Sequence, residues 1–293
     1  MSTFNALVHV KSAKITITTF CGAKCRSCPS WRTKNETMDI EIFRKIYLKI
    51  ANYPYLPTIL LNNVGDFFAL PNWKEYLDFA IDNKNGKRLH ITTNGLFLNK
   101  VKHLPEGIDN FTISFNGFSR EGYEYMTGMP FDIVYNNIKR LHESGELYKP
   151  EVTELHMLRC KINDEENFED KIRNLFGFLR CKIRVSHKCE NQFGEDITLD
   201  EYKFDNERIF CDYLIKLNVH WNGDVILCAH DFSGAVVFGN LVRQDIPSIL
   251  RSPFRIAKLK EHLSGRFTGL CFNCNYNIPD RREFYKEFYF NGR

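Results

Sequence analysis

No run of this 293-residue sequence approaches 18 apolar residues, and Met1–Lys14 lacks the long apolar core of a secretory signal. The expectation is a cytoplasmic protein without membrane association. A strong charge of one sign is also missing. Forty basic against 36 acidic residues leave a net charge of +4. That is too little for the basic footprint of a nucleic-acid binder and gives at most a mild bias toward anionic substrates. There is no internal repeat and no low-complexity tract, which excludes solenoids and disordered arrays. Cysteine, by contrast, is plentiful, with ten residues. In a chain expected to be cytosolic, cysteines at this density argue for metal sites rather than disulfides.

Strand patterns and helical patterns alternate over the first two-thirds of the chain. Strands are expected at Lys14–Phe20, Thr58–Val64, Arg88–Thr92, Asn110–Phe115, Val152–Arg159 and Cys181–Ser186. Between them, four groups of residues each share one helix face: Phe43, Ile46, Tyr47 and Ile50; Trp73, Leu77, Ala80 and Ile81; Val134, Ile138 and Leu141; Phe168, Ile172, Leu175 and Phe176. After the third strand only a short helical stretch is expected, near Phe97–His103. Six β–α units imply an α/β fold with a parallel sheet and right-handed crossovers, a partial (β/α)6 barrel of TIM type. Such a sheet places its site at the carboxyl ends of the strands. The pattern changes over the polar stretch Phe193–Asp205. Beyond it, Leu217–Trp221 and Val225–Leu227 flank Asn222-Gly223, a pair that favours a type I′ hairpin turn. Helices are expected at Ile246–Leu250 and Pro253–His262, and a solvated helix end in the basic tail Arg281–Arg293. The boundary is placed near 205, giving domains 1–205 and 206–293.

The most informative stretch is Cys21-Gly-Ala-Lys-Cys25-Arg-Ser-Cys28, just beyond the first strand. Three thiolates on one loop can hold three irons of a [4Fe–4S] cube and leave the fourth open. Simple ferredoxin-type clusters use four cysteines, and a zinc loop is the alternative. The C-x3-C-x2-C spacing resembles that of the radical S-adenosylmethionine (radical SAM) superfamily. In that family the open iron chelates the methionine end of S-adenosylmethionine. Reductive cleavage then yields a 5′-deoxyadenosyl radical that abstracts a substrate hydrogen atom. The resemblance extends to the strand ends. Gly65-Asp66, with Pro71 beyond, looks like the family's Gly-Glu-Pro motif, with Asp for Glu and Phe67 for the usual Pro. Thr93-Asn94-Gly95 ends the third strand, and Ser114 with Asn116-Gly117 ends the fourth. Arg159 ends the fifth, where a guanidinium suits the cofactor carboxylate. The resemblance thus implies cofactor binding by Gly65, Asp66, Asn94, Ser114, Asn116 and Arg159. Ser27 departs from the family, which usually has an aromatic residue there; Trp31 is a substitute by proximity alone.

Beyond the boundary stand Cys211, Cys228, Cys271 and Cys274, the last two as C-x2-C. Four thiolates suit a closed iron–sulfur cluster, and structural zinc also accepts them. The order Cys, Gly-x4-Cys, distant C-x2-C is similar to the SPASM and twitch extensions of radical SAM enzymes. No cysteine follows Cys274, so the resemblance is to the single-cluster twitch form, a small α+β subdomain. Cys160, Cys181 and Cys189 read as small buried residues, with Cys189 the exception to watch.

By resemblance, the cofactors are S-adenosylmethionine and two [4Fe–4S] clusters, one auxiliary. The reaction implied is a two-electron oxidation of a polar small molecule, such as a sugar or aminocyclitol, as in the superfamily's aminocyclitol dehydrogenase. The partners would be that small molecule and a reductant such as flavodoxin or ferredoxin. Modification of a ribosomally made peptide and a redox-neutral rearrangement are the alternatives. A peptide modifier usually carries an N-terminal recognition domain, for which a first strand at Lys14 is expected to leave no room. His187, Lys188 and Asn191 follow the sixth strand, and His230-Asp231 follows Cys228. No residue stands out as a general base.

Overall fold

The computed structural model describes residues 9–145, 152–159, 168–179, 181–187, 210–272, 274 and 285–289. One ten-stranded sheet organises them, in the order β10-β6-β5-β4-β3-β2-β1-β7-β8-β9. Strands β1 (Ala13–Ile15), β2 (Thr58–Leu60), β3 (Arg88–Thr93), β4 (Asn110–Ser114), β5 (Thr153–Arg159) and β6 (Lys182–His187) pair in parallel, each with the next. β7 (Leu217–Val219) pairs in parallel with the other side of β1. β8 (Asp224–Ile226) and β9 (Val237–Asn240) add an antiparallel meander. The two edge strands do not pair with each other, so the sheet is open, as in a partial barrel.

The strands alternate in chemistry. Ala13, Ile15, Ile59, Leu89, Ile91, Phe111, Ile113, Leu155, Met157 and Ile183 are fully buried on one face. They pack into one core with helices α1 (Ile40–Ala51), α2 (Trp73–Asp82), α4 (Phe131–Glu143) and α5 (Phe168–Phe176). The faces these helices bury include the residues expected to share one: Phe43, Ile46, Tyr47 and Ile50 on α1, Trp73, Leu77 and Ala80 on α2, Val134, Ile138 and Leu141 on α4, Ile172 and Phe176 on α5. Burying each large side chain contributes about 1.5–3 kcal/mol. Helix α1 starts where the Asp39 carboxylate accepts the Glu41 and Ile42 N–H groups at 2.8 and 3.3 Å.

Several elements differ from the sequence expectation. β1 ends at Ile15 rather than Phe20, because residues 17–19 turn to a new partner. Met38 N–H donates to Ile17 O at 2.7 Å and Thr19 N–H to Glu36 O at 2.9 Å. β2 likewise stops at Leu60. The hairpin turn is not type I′: Gly223 has φ +87°, but Asn222 keeps a negative φ. His220 and Asp224 close a three-residue loop, with Gly223 N–H donating to His220 O at 2.9 Å, which is a type I turn followed by a left-handed glycine. A helix that the pattern did not announce, α3 (Arg120–Thr127), begins at the Ser119 cap and ends at left-handed Gly128. In the basic tail, Tyr285–Tyr289 form β10 antiparallel to β6, not a helix end. The expected helices at 246–250 and 253–262 are present as α6 (Ile246–Leu250) and α7 (Pro253–Leu263). No helix among the described residues is long and apolar enough to cross a membrane.

Arg255 of α7 is buried and donates to the Leu250 and Leu214 carbonyls, each at 2.8 Å. It thereby ties α7 to the turn Asp212–Ile215 that follows Cys211. Replacing Arg255 with Ala strands two buried carbonyls. It should lower unfolding free energy by about 2–3 kcal/mol, seen as a lower urea midpoint with an unchanged m value.

Candidate functional site

The cysteine loop begins six residues beyond β1 and is held on three sides. The C-terminal turn of α3 grips it from one side, with Lys24 N–H donating to Thr127 O and Arg26 N–H to Met126 O, both at 2.9 Å. The Arg26 guanidinium lies 3.9 Å over the Tyr125 ring. Within the loop, Cys28 N–H donates to Cys25 O at 3.2 Å, and the Cys28 thiol reaches Ser30 Oγ at 3.1 Å. The third hold comes from the end of β3. The Asn94 side-chain amide donates to Cys21 O at 2.9 Å and Cys21 Sγ at 3.3 Å. All three cysteines are half-buried, and none of them forms a disulfide with another described cysteine. Burial, with the Asp66 carboxylate behind it, pushes the Cys21 thiol up to about 12. A cationic iron centre is the kind of group that reverses such a shift.

Gly65 follows β2 with φ +80°, and a Cβ there would stand 2.1 Å from Thr18 O. Only glycine fits. Asp66, 2% exposed, accepts from Phe68 N–H at 3.0 Å, Thr93 Oγ1 at 2.9 Å and Asn94 N–H at 2.7 Å. Burial raises its pKa to about 6 against the opposing pull of these donors. The carboxylate therefore splices β2 to β3 and orients Asn94, which in turn holds Cys21. Ser114 ends β4, half-buried, beside His156 in register, and Asn116 follows it half-buried. Arg159 ends β5 opposite His187, and the side chains of both lie outside the described atoms. Cys160, Lys188, Cys189, Asn191 and the region around 205 lie outside the described residues. Ser27 is buried and Trp31 is 42% exposed with Arg32 over its ring, so neither presents a buried aromatic surface. Cys181 is buried, as expected of a small core residue.

The second group converges more plainly. Cys211, Cys228, Cys271 and Cys274 all line one small apolar cavity, walled in addition by Tyr213, Leu214, Leu227, His230, His262 and Leu270. Burial pushes the Cys211 thiol up to about 12 and Cys228 well above its ordinary value, with neighbouring cysteines adding to both. Such a cavity holds thiolates only around a cationic centre. Among the described residues no three Cys, His, Asp or Glu side chains converge as ligands of one metal ion. A cube asks for a wider arrangement, because each thiolate takes its own iron. His230 is part of this wall, and the carboxylate of the next residue, Asp231, accepts from Ala235 and Val236 N–H at 2.8 and 3.0 Å and fixes the loop after Cys228.

The donor sets agree with a family comparison. Residues 15–171, more than half of the chain, match the model of the radical SAM superfamily. The chain belongs to the radical SAM superfamily. Residues 211–275 match the SPASM iron–sulfur cluster-binding domain, the region that supplies all four cavity cysteines. The cofactors of this radical SAM enzyme are accordingly S-adenosylmethionine, a [4Fe–4S] cluster and auxiliary iron–sulfur. An uncharacterised protein of Methanocaldococcus jannaschii is 34% identical over 130 residues, and the match spans 43% of this chain and 41% of that relative. BtrN in complex with AdoMet and 2-DOIA shares the fold at TM-score 0.59 and 16% identity, covering 94% of this chain and 98% of BtrN. Streptococcus suis SuiB bound to precursor peptide SuiA aligns at TM-score 0.66 and 13% identity over 91% of this chain and 70% of SuiB. AnSMEcpe with AdoMet and the Cp18Cys peptide aligns at TM-score 0.61 and 13% identity over 90% and 86%.

Sequence reasoning missed the face of the sheet turned away from the helices. Lys14, His90, Thr112, Ser114, Glu154, His156 and Arg184 occupy the strand positions between the buried apolar ones. They interact across strands: His90 Nε2 and Thr112 Oγ1 are 3.0 Å apart, and Arg184 donates to Glu154 at 2.8 Å. Burial, then Lys14 and Arg184, pushes His90 down to about 4; burial and Arg184 push His156 down to about 3. Both imidazoles are neutral at neutral pH. The signal was present as polar–apolar alternation, since a parallel strand covered on both faces reads as continuously apolar. For Gly65→Ala, the left-handed φ and the contact with Thr18 O should cost roughly 1–3 kcal/mol. Thermal unfolding checks the loss, and iron uptake at the first cysteine group should fall with it.

Proposed function

We propose that this radical SAM enzyme dehydrogenates a carbinol centre of a polar small molecule, such as a sugar or aminocyclitol. The four-cysteine centre takes one of the two electrons. The carrying observation is that Cys211, Cys228, Cys271 and Cys274 line a single apolar cavity. Four thiolates leave a cube no open iron, and a closed cluster exchanges electrons rather than binding substrate. Similarity of fold to BtrN, whose structure holds AdoMet and 2-DOIA, over nearly the whole of both chains supports this reading. Bound at the two groups, S-adenosylmethionine and the clusters supply a carbon radical that removes a hydrogen atom and an acceptor for the remaining electron.

The chain's own residues have separate tasks in this reading. Cys21, Cys25 and Cys28 hold the cluster with the open iron, and Asn94 steers the Cys21 thiolate. The Gly65-Asp66 backbone receives the cofactor's ammonium group, and the buried Asp66 carboxylate holds that turn in place. Ser114, Asn116 and Arg159, at the ends of β4 and β5, serve the ribose and carboxylate. Residues 1–205 form the radical domain and 206–293 the auxiliary-cluster domain. The polar inner face receives the substrate, and a small electron-transfer protein of the flavodoxin or ferredoxin type supplies the reductant. The second reading, modification of a ribosomally made peptide, is favoured by the likeness to SuiB with its bound precursor peptide.

Anaerobically reconstituted protein should carry about eight irons per chain, two cubes; about four would remove the auxiliary cluster and the proposed electron acceptor. Cys25→Ala should abolish 5′-deoxyadenosine release under strong reductant, measured by chromatography. Cys271→Ala should keep some release but yield no oxidised product from a small-molecule panel. Turnover in Cys271→Ala equal to wild type would rule out the oxidation.

A further inference from the structure

Lys14 lies where the inner face of the sheet meets the four-cysteine cavity. On β1 it stands in register with Leu60 of β2 and Asn218 of β7. Burial and the nearby Lys216 push its ammonium down to about 8, so it remains charged at neutral pH. Among the described residues it has no hydrogen bond and no ion pair. Asn218 and Thr16, its fully buried neighbours on that face, bring dipoles but no negative charge. Its contact is the ring of Tyr213, 5.3 Å from the ammonium to the centroid. Tyr213 is itself a wall of the four-cysteine cavity, and Lys14 is close enough to interact electrostatically with Cys228. Lys216 reaches the same ring at 4.2 Å, but it is paired with Asp212 at 2.9 Å. Lys11 also approaches Asp212, at 3.8 Å. Asp212 is already engaged by two other cations, so it offsets only part of the Lys14 charge.

We propose that Lys14 sets the reduction potential of the auxiliary cluster, raising it so that the cluster accepts an electron during turnover. This rests on the reading of the four cysteines as a [4Fe–4S] site. An all-thiolate cube is anionic and becomes more so on reduction. A fixed cation across one aromatic ring, in a poorly screened interior, favours the reduced form. Lys216 contributes less, because Asp212 cancels most of its field.

The test is an EPR-monitored redox titration of the full chain with Cys21, Cys25 and Cys28 replaced by Ala, so that only the four-cysteine cluster titrates. In this background Lys14→Met should move the potential to a more negative value. Lys14→Arg should hold it near that of the parent, and Lys216→Met should shift it less than Lys14→Met. If Lys14→Met does not assemble its cluster, Lys14→Gln makes the same comparison. An unchanged potential in the uncharged variant, or equal shifts for Arg and Met, overturns the role of Lys14 while leaving the cluster assignment standing. A parent protein that takes up no iron at the four cysteines overturns the cluster reading, and this inference with it.

Discussion

The pairing of β7 with β1 is the constraint on which the rest of the molecule depends. Three short strands, β2, β1 and β7, sit side by side in the middle of the sheet. The radical-cluster loop leaves the carboxyl end of β1. Cys211 and Cys228 stand on either side of the β7–β8 hairpin in sequence. The ladder between Ala13–Ile15 and Leu217–Val219 therefore sets how far apart the two thiol groups can be. A backbone ladder is a rigid spacer. The same sheet that builds the partial barrel carries the auxiliary site, so the second region is continuous with the first through hydrogen bonds.

Negative charge in a dry interior is the second theme. Cys21, Cys211 and Cys228 are all pushed well away from the thiolate by burial, and Asp66 is pushed up for the same reason. Each region offers its anions something in return. At the first, Asn94 donates to Cys21, and two backbone N–H groups and a hydroxyl converge on Asp66. At the second, backbone hydrogen bonds from Tyr213 and His230 reach Cys211 and Cys228, and Lys14 stands across the Tyr213 ring. Hydrogen bonds thus serve thiols at both sites, and the second has a cation across one ring in addition.

Much of this was legible in the sequence because it is local. The C-x3-C-x2-C spacing, the helix faces and the C-x2-C pair each occupy a few residues. The family resemblance, the open parallel sheet and the cofactors all follow from them. What escaped was non-local or low in contrast. Helix α3 is built from Arg-Glu-Gly-Tyr-Glu-Tyr-Met-Thr, with few apolar residues, so its buried face of Tyr123, Met126 and Thr127 stands out little in the sequence. Strand β10 owes its existence to pairing with β6, nearly a hundred residues upstream, which no window can show. The hairpin turn was misread because Asn222-Gly223 favours one turn type in isolation, while the His220–Asp224 closure selects another. The sequence also hid the bond from the Asn94 side chain to Cys21, which joins residues 73 positions apart.

The alternation along β1 and β3–β6 separates two demands that most enzymes must reconcile at the same positions. Odd-numbered residues of β3 to β6, such as Ile91, Ile113, Leu155 and Ile183, anchor the helices. Their even-numbered neighbours, such as His90, Thr112, His156 and Arg184, are spared that duty. Natural variation can therefore rewrite the chemistry of the inner face while the packing against the helices stays untouched. Divergent specificities among chains of this architecture become accessible by single steps that leave the scaffold sound.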